Sequence, residues 1–335
     1  MRVGIVGAGS MGIAHARGWA GTDAEIVGIA DAIPAKAEAL AAKYGWRFYD
    51  SMDAILPEVD VVDLCTPTHL HHALTLHAAR AGKHVMCEKP IALTVAHGKE
   101  MIAACRQAGV RFFVGMVVRF FPEYQAAHRA IQAGQIGAPA VARFTRAVFR
   151  PQRPLTDWFM DPEKSGGMIL DLSIHDFDQA RWLVGDEVER VFARSVTTQD
   201  PSIPEDHMLA ILRFRNGAMA HVEGSWAYPP PLFVYKIEIA GDDGLIEFSN
   251  TDTAPIVPYL FKRDEGASYD VPLASSPLAE DPYTAEIRHF WDAINHDKPF
   301  AVTPEDALAA LQIALAARES ARTGRPVTLE PLEVA

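Results

Sequence analysis

Through the first 119 residues, short apolar runs alternate with segments in which apolar positions recur at helical spacing. Val3–Val6, Ala24–Ala30, Val59–Thr66, His84–Cys87 and Val110–Gly115 predict strands. Met11–Ala20, Pro34–Tyr44, Leu70–Ala81 and Thr94–Gln107 predict the helices between them. Strands separated by helices form parallel βαβ units, so a doubly wound sheet is expected here. From about residue 120 the pattern changes. Pro139–Val148, Val188–Thr197, His207–Arg215, Met219–Tyr228 and Phe233–Ala240 are β-rich and follow one another through turns. Asn216-Gly217 is a tight-hairpin signal, and Gly241-Asp242-Asp243-Gly244 leads through a second turn into Leu245–Phe248. Strands joined this way suggest an open, mostly antiparallel sheet, and its exposed face is a candidate subunit interface. Tyr283–Asn295 and a helix opened by Thr303 and Pro304 and stopped by Gly324 close the chain. The expected division is therefore residues 1–119 and 120–335, with the last helix able to pack back on the first domain.

Composition narrows the function classes. The 335 residues are 49% hydrophobic and 22% charged, as in ordinary globular proteins with large interiors. A net charge of -12 without any Lys/Arg stripe argues against a nucleic-acid partner. No apolar run is long enough to span a bilayer. The first strand begins almost at once, leaving no room for a signal peptide, so a cytoplasmic location is expected. Cys65, Cys87 and Cys105 are widely spaced and read as reduced thiols, with no CxxC pair or Cys/His cluster to suggest a metal.

Gly7-Ala8-Gly9-Ser10-Met11-Gly12 is a GxGxxG between a strand and a helix. The three glycines allow a tight turn, approach of backbone to a pyrophosphate, and close helix–strand packing. The next strand ends at Asp31, nineteen residues after Gly12, where a carboxylate can accept from the adenosine ribose and repel a 2′-phosphate. NAD is expected over NADP; the alternative is that Asp31 only caps the following helix. Thr66, Pro67 and Thr68 form a turn at the carboxyl edge of the sheet, the side on which such folds bind ligands. His84–Cys87 runs into Glu88-Lys89-Pro90, where Lys89 either polarises a substrate hydroxyl or is a solvated loop lysine.

Ser165-Gly166-Gly167 precedes a helical pattern that ends near Gly185. Asp171 and His175 are four apart and share a face, continued by Asp178, while Leu170, Ile174 and Phe177 make an adjacent apolar stripe. A neutral imidazole suits removal of a hydroxyl proton, with the carboxylate orienting it. A His–Asp pair on a helix surface is the bland alternative, and no third metal ligand is evident. His15, one turn into the first helix, reads as a packed or solvated residue outside the site.

Taken together, GAGSMG, Asp31, TPTHLHH, CEKP and SGGMILDLSIHDFD resemble the Gfo/Idh/MocA oxidoreductases over essentially the whole chain. The resemblance implies a Rossmann domain, a C-terminal α/β domain with a large open sheet, and assembly as homodimers or homotetramers. It implies that Lys89, Asp171 and His175 converge at the nicotinamide, with His175 as acid/base, Lys89 polarising the hydroxyl and Asp171 supporting both. It also implies a cis Lys89–Pro90 peptide and a Glu88 that reaches the nicotinamide ribose. Ser173 stands where many relatives carry Gly, and Met116-Val117-Val118-Arg119 replaces a frequent Asn-x-Arg. Arg119 and Trp158 are candidate substrate contacts, to grip a hydroxyl or carboxylate and to stack on a sugar face, or else core or interface residues.

The leading expectation is transfer of a hydride from a secondary hydroxyl of a sugar, inositol or related polyol to NAD. Two other classes stand beside it. An NAD-dependent glycosidase would oxidise its sugar only transiently. A non-catalytic NAD- or sugar-binding module would have no use for Lys89, Asp171 and His175.

Overall fold

A computed structural model describes residues 1–198, 205–251 and 281–333. They pack as two units. The first takes its residues from Met1–Phe120 and Ala279–Leu308, the second from Phe121–Leu278 and Ala309–Leu332.

In the first unit, β1 (Arg2–Val6), α1 (Ser10–Ala20), β2 (Glu25–Ala30), α2 (Pro34–Tyr44) and β3 (Arg47–Tyr49) are followed by the single turn α3 (Met52–Ile55) and β4 (Val61–Leu64). Then come α4 (His71–Arg80), β5 (His84–Glu88), α5 (Val95–Gln107) and β6 (Phe112–Gly115). The six strands run β3-β2-β1-β4-β5-β6, with each neighbouring pair parallel. The order reverses at β1, so the connections that leave β1 and β4 part to opposite faces of the sheet and open a crevice beside the glycine loop, where doubly wound sheets bind ligands. Val61–Leu64 is buried at every position, as expected of a central strand covered on both faces.

The second unit contains α6 (Pro122–Gln132), β7 (Pro139–Val148), α7 (Pro162–Ser165), α8 (Ile174–Val184) and β8 (Val188–Val196). It continues with β9 (His207–Phe214), β10 (Met219–Ser225), β11 (Phe233–Gly241) and β12 (Leu245–Ser249). Later in the chain, α9 (Pro282–Asn295) and the first turns of α10 (Pro304–Thr323) belong to the first unit, and the rest of α10 and β13 (Val327–Thr328) to the second. Its seven strands run β12-β11-β7-β10-β9-β8-β13. All described pairs are antiparallel except β7 with β10. One face of this sheet is dry: Phe144, Ala210, Leu212, Val222 and Ile237 are buried, and α8 covers part of it.

The doubly wound sheet and the open, mostly antiparallel sheet are as the sequence predicts. Three features differ. The strand Arg47–Tyr49, only three residues long, and the amphipathic helix α6 lie outside the elements the sequence predicts. The helix that packs back on the first unit is α9, whose Ile287 lies so close to Gly18 of α1 that a side chain at Gly18 would meet it at 2.4 Å. Only the first turns of α10, to Leu308, belong to that unit.

Candidate active site

The glycine loop is built by steric exclusion. Gly7 has φ +105°, and a Cβ there would lie 2.3 Å from the Cys65 carbonyl oxygen. At Gly12 a Cβ would lie 1.9 Å from the Gly7 carbonyl oxygen, so α1 leaves the loop at a distance only glycine permits. At Gly9 a Cβ would meet nothing within 4 Å. The middle glycine therefore borders open space at the N-terminus of α1, beside Ser10 and Met11, where amide groups and the helix dipole suit a pyrophosphate. Asp31 closes the loop from β2: its carboxylate accepts from Ala8 N–H at 2.6 Å and from Ile33 N–H at 2.7 Å. These residues fit a dinucleotide.

Thr66 and Pro67 form the turn after β4, and Thr68 starts a short 3-10 turn before α4. The Thr66 hydroxyl is buried without a hydrogen-bond partner among the described residues. His71 ties this turn to the next one, with Nδ1 2.9 Å from the Pro90 carbonyl and Nε2 3.0 Å from that of Thr66. Burial holds its imidazole below the ordinary value, so the ring is neutral and donates to one carbonyl at a time. The Lys89–Pro90 peptide is cis. Glu88 ends β5 inside the domain, its carboxylate meeting His15 Nε2 at 2.8 Å and accepting the Lys89 N–H at 3.0 Å. Sequence reasoning left His15 and His71 out. The signal for His15 was Asp63, a charged residue in the otherwise apolar run Val61–Leu64, which needs a buried partner.

In the second unit, Gly166 and Gly167 both take positive φ, +85° and +68°, and turn the chain into the helix that carries Asp171 and His175. Ile169–Ser173 is a π-helical turn and α8 continues from Ile174, which corrects the regular four-residue spacing expected between Asp171 and His175. The insertion fits the sheet beneath it, because a side chain at Gly224 of β10 would meet Ser173 Oγ at 2.0 Å. Such π-turns recur at functional sites. Leu170, Ile174 and Phe177 are fully buried as predicted, Asp171 is partly exposed, and His175 is 8% exposed. Next to His175, Asp176 accepts from Arg146 in two parallel bonds of 2.9 and 3.1 Å, and Arg146 also donates to the Tyr124 hydroxyl at 3.1 Å. Burial pushes the Asp176 carboxyl up and the guanidinium pulls it back. This pair locks α8 to β7.

The two further substrate candidates, Arg119 and Trp158, differ in their placement. Arg119 is 4% exposed, and its guanidinium meets Asp306 at 3.2 Å and the Ala301 carbonyl at 3.3 Å, so it holds the start of α10. Trp158 is partly exposed and packs edge-on against Phe159, which stacks on Trp226.

Residues 1–116 match the family model described as an oxidoreductase family with an NAD-binding Rossmann fold, and residues 128–329 match that family's C-terminal alpha/beta domain. The chain belongs to the Gfo/Idh/MocA oxidoreductases. It is 32% identical to the myo-inositol 2-dehydrogenase of Thermotoga maritima, over 98% of this chain and 99% of that protein. It is 33% identical to the inositol 2-dehydrogenase of Rhizobium meliloti, with the same coverage. A solved levoglucosan dehydrogenase in complex with NADH and levoglucosan superimposes with a TM-score of 0.83 at 26% identity, covering 98% and 99% of the two chains. As a member of this family the protein is an oxidoreductase whose first domain binds NAD. No described helix is long and apolar enough to cross a membrane.

Proposed function

We propose that this enzyme oxidises a secondary hydroxyl of a sugar, inositol or related polyol, with Lys89, Asp171 and His175 as its catalytic group. The reading is supported by full-length similarity to relatives named as inositol 2-dehydrogenases, in a chain that carries Lys89 just after β5 and His175 in the first turn of α8. Bound NAD supplies the hydride acceptor. Lys89 leaves the carboxyl edge of β5, its N–H held by Glu88 and the carbonyl of the following Pro90 held by His71. Its amine polarises the reacting hydroxyl and stabilises the developing alkoxide. His175 accepts the hydroxyl proton, and Asp171 orients it or sets the charge around the lysine. Trp158 offers its exposed edge to the substrate.

Homo-oligomerisation through the second sheet goes with this reading. Leu209 and Ile211 of β9, Val196 of β8, Met219 of β10 and Leu245 of β12 are exposed, and the strand registers put them on the same face. Such a patch marks an interface.

The test is a panel of inositols, aldoses and anhydrosugars, scored by NADH absorbance with NAD and separately with NADP. An NAD-dependent signal that falls by about 10²- to 10⁴-fold in His175→Asn, with NAD affinity retained, is the expected result. Aglycone release without NADH accumulation would instead identify a glycosidase. A His175→Asn variant as active as the parent would remove the proposed acid/base.

A further inference from the structure

One turn past the glycine loop, α1 points a fully buried His15 into a group of acids contributed by three other elements. Its Nδ1 lies 2.8 and 3.1 Å from the two carboxylate oxygens of Asp63 on β4. Its Nε2 lies 2.8 Å from Glu88 Oε1 on β5. Trp19, four residues further along α1, donates its indole N–H to Asp63 at 2.7 Å. The second oxygen of Glu88 accepts the backbone N–H of Lys89. A continuous chain of hydrogen bonds therefore runs from Trp19 through Asp63, His15 and Glu88 to the peptide of Lys89.

The chemistry of the partners fixes the protons. Carboxylates only accept, so a ring between two of them needs a hydrogen on both nitrogens. Burial works against the imidazolium, but the Asp63 charge and its hydrogen bonds carry the ring well above its ordinary value. The Cys65 thiol, 3.7 Å from Asp63, is pushed up by burial and stays neutral. From α9, Glu286 reaches the same group: a carboxylate oxygen of it, a His15 nitrogen and a Glu88 oxygen lie within 4.8 Å of one another. Glu286 is fully buried and neither of its oxygens has a hydrogen-bond partner among the described residues. Burial, then the charges of Glu88 and Asp63, push its carboxyl well up against the pull of His15, so it holds its proton. Tyr283 on the same helix is pushed up by burial and by the Glu88 charge, and is neutral too. The spacing of His15, Glu88 and Glu286 resembles a metal site, but an imidazolium has no lone pair to give.

We propose that His15, backed by Asp63 and Glu286, is a positioning residue for the reaction: it clamps Glu88, and Glu88 fixes the peptide from which Lys89 projects. The proposal rests on reading Lys89 as the lysine that binds the substrate hydroxyl. It explains why a Rossmann core holds this much charge beside that corner. Gly115 on β6 leaves the room Glu88 needs, since a Cβ there would meet Glu88 Oε1 at 3.2 Å.

The test uses the full chain, with His15→Gln and, should that variant not fold, Asp63→Asn. Backbone amide exchange at Lys89 is expected to speed up by roughly tenfold or more while amides in β1 keep their protection. Turnover is expected to fall by roughly 10- to 100-fold with NAD affinity within about threefold, and the isotope effect of a deuterated substrate is expected to rise. Imidazole ¹⁵N resonances of His15 in the parent protein should show both nitrogens protonated at neutral pH. The exchange and resonance arms need no substrate, so they stand even if no polyol is oxidised and the functional reading fails. Unchanged Lys89 exchange with unchanged turnover, a neutral His15, or a stoichiometric divalent metal lost in His15→Gln would each overturn the proposal.

Discussion

Glu286→Gln is expected to make the protein more stable at neutral pH, an unusual outcome for changing a fully buried charged residue type. Solvation sets the direction of the effect. An ionised carboxylate with no donor within reach is too costly to keep in a dry core, so Glu286 folds as the neutral acid. In the unfolded chain the same group titrates near its ordinary value of 4.5. Above that pH the folded protein holds a proton that the unfolded chain has released, and stability falls by about 1.4 kcal/mol for each pH unit until the folded group itself ionises. At pH ~7 the accumulated penalty reaches as much as ~3 kcal/mol. Glutamine has nearly the same shape and no proton to hold, so it removes the penalty and leaves the packing intact.

His15 adds to the alkaline loss in both proteins. Its raised value contributes stability that is complete below its ordinary 6.5 and is lost as pH rises through the folded value. Comparing the two proteins cancels that contribution, because Asp63 is the main cause of the raised value and is present in both. Urea unfolding of parent and variant from about pH 5 to about pH 8.5 reads the difference as a slope, and proton release on unfolding should be smaller by about one in the variant. A variant destabilised by more than ~1 kcal/mol at neutral pH, with the parent's slope, would show that Glu286 is ionised in the folded protein.

Three further outcomes follow from the geometry. Gly9→Ala should fold with the parent's melting temperature yet bind NAD at least ~10-fold more weakly, whereas Gly12→Ala, whose Cβ would sit 1.9 Å from a carbonyl oxygen, should lose the folded first domain; calorimetry and NAD titration separate the two. Asp31→Ser should move the ratio of NAD to NADP affinities toward NADP by on the order of 10- to 100-fold, because it deletes a carboxylate that repels the 2′-phosphate, and a ratio that did not move would restrict Asp31 to its loop-closing bonds with Ala8 and Ile33. Asp176→Asn should cost about 3–5 kcal/mol in urea unfolding, since it strands the buried Arg146 guanidinium.

Features written in local chemistry were legible in the sequence. Thr94 accepts from His97 N–H and opens α5, and Thr303 does the same for Asp306 at the start of α10. The apolar, β-rich run of residues 208–212 marked β9 as a strand. Elements that take their identity from partners were not legible. Arg47–Tyr49 is a strand only because β2 lies beside it. The π-turn at Asp171 depends on how Ser173 meets Gly224, more than fifty residues away in the chain. Arg119 looked available for substrate because nothing near it in sequence discloses Asp306, 187 residues on.

His15 shows the same limit from the side of function. Its partners stand 48 and 73 residues away, so as a lone histidine on a helix it offers no local reason to matter. Yet a buried ion pair is weak support for stability, because well-packed apolar residues in its place are often as good or better. Four ionisable side chains gathered around the strand end that delivers Lys89 therefore call for an account other than stability. The imidazolium supplies one, because both of its donors have fixed directions and each is taken by a carboxylate on a different strand. A hydrophobic cluster would hold β4, β5 and α1 together but would leave the rotation of Glu88, and with it the peptide of Lys89, unspecified. Directional bonds convert the packing of a Rossmann core into a defined orientation at its edge, where a displacement of about 1 Å is enough to cost two orders of magnitude in rate.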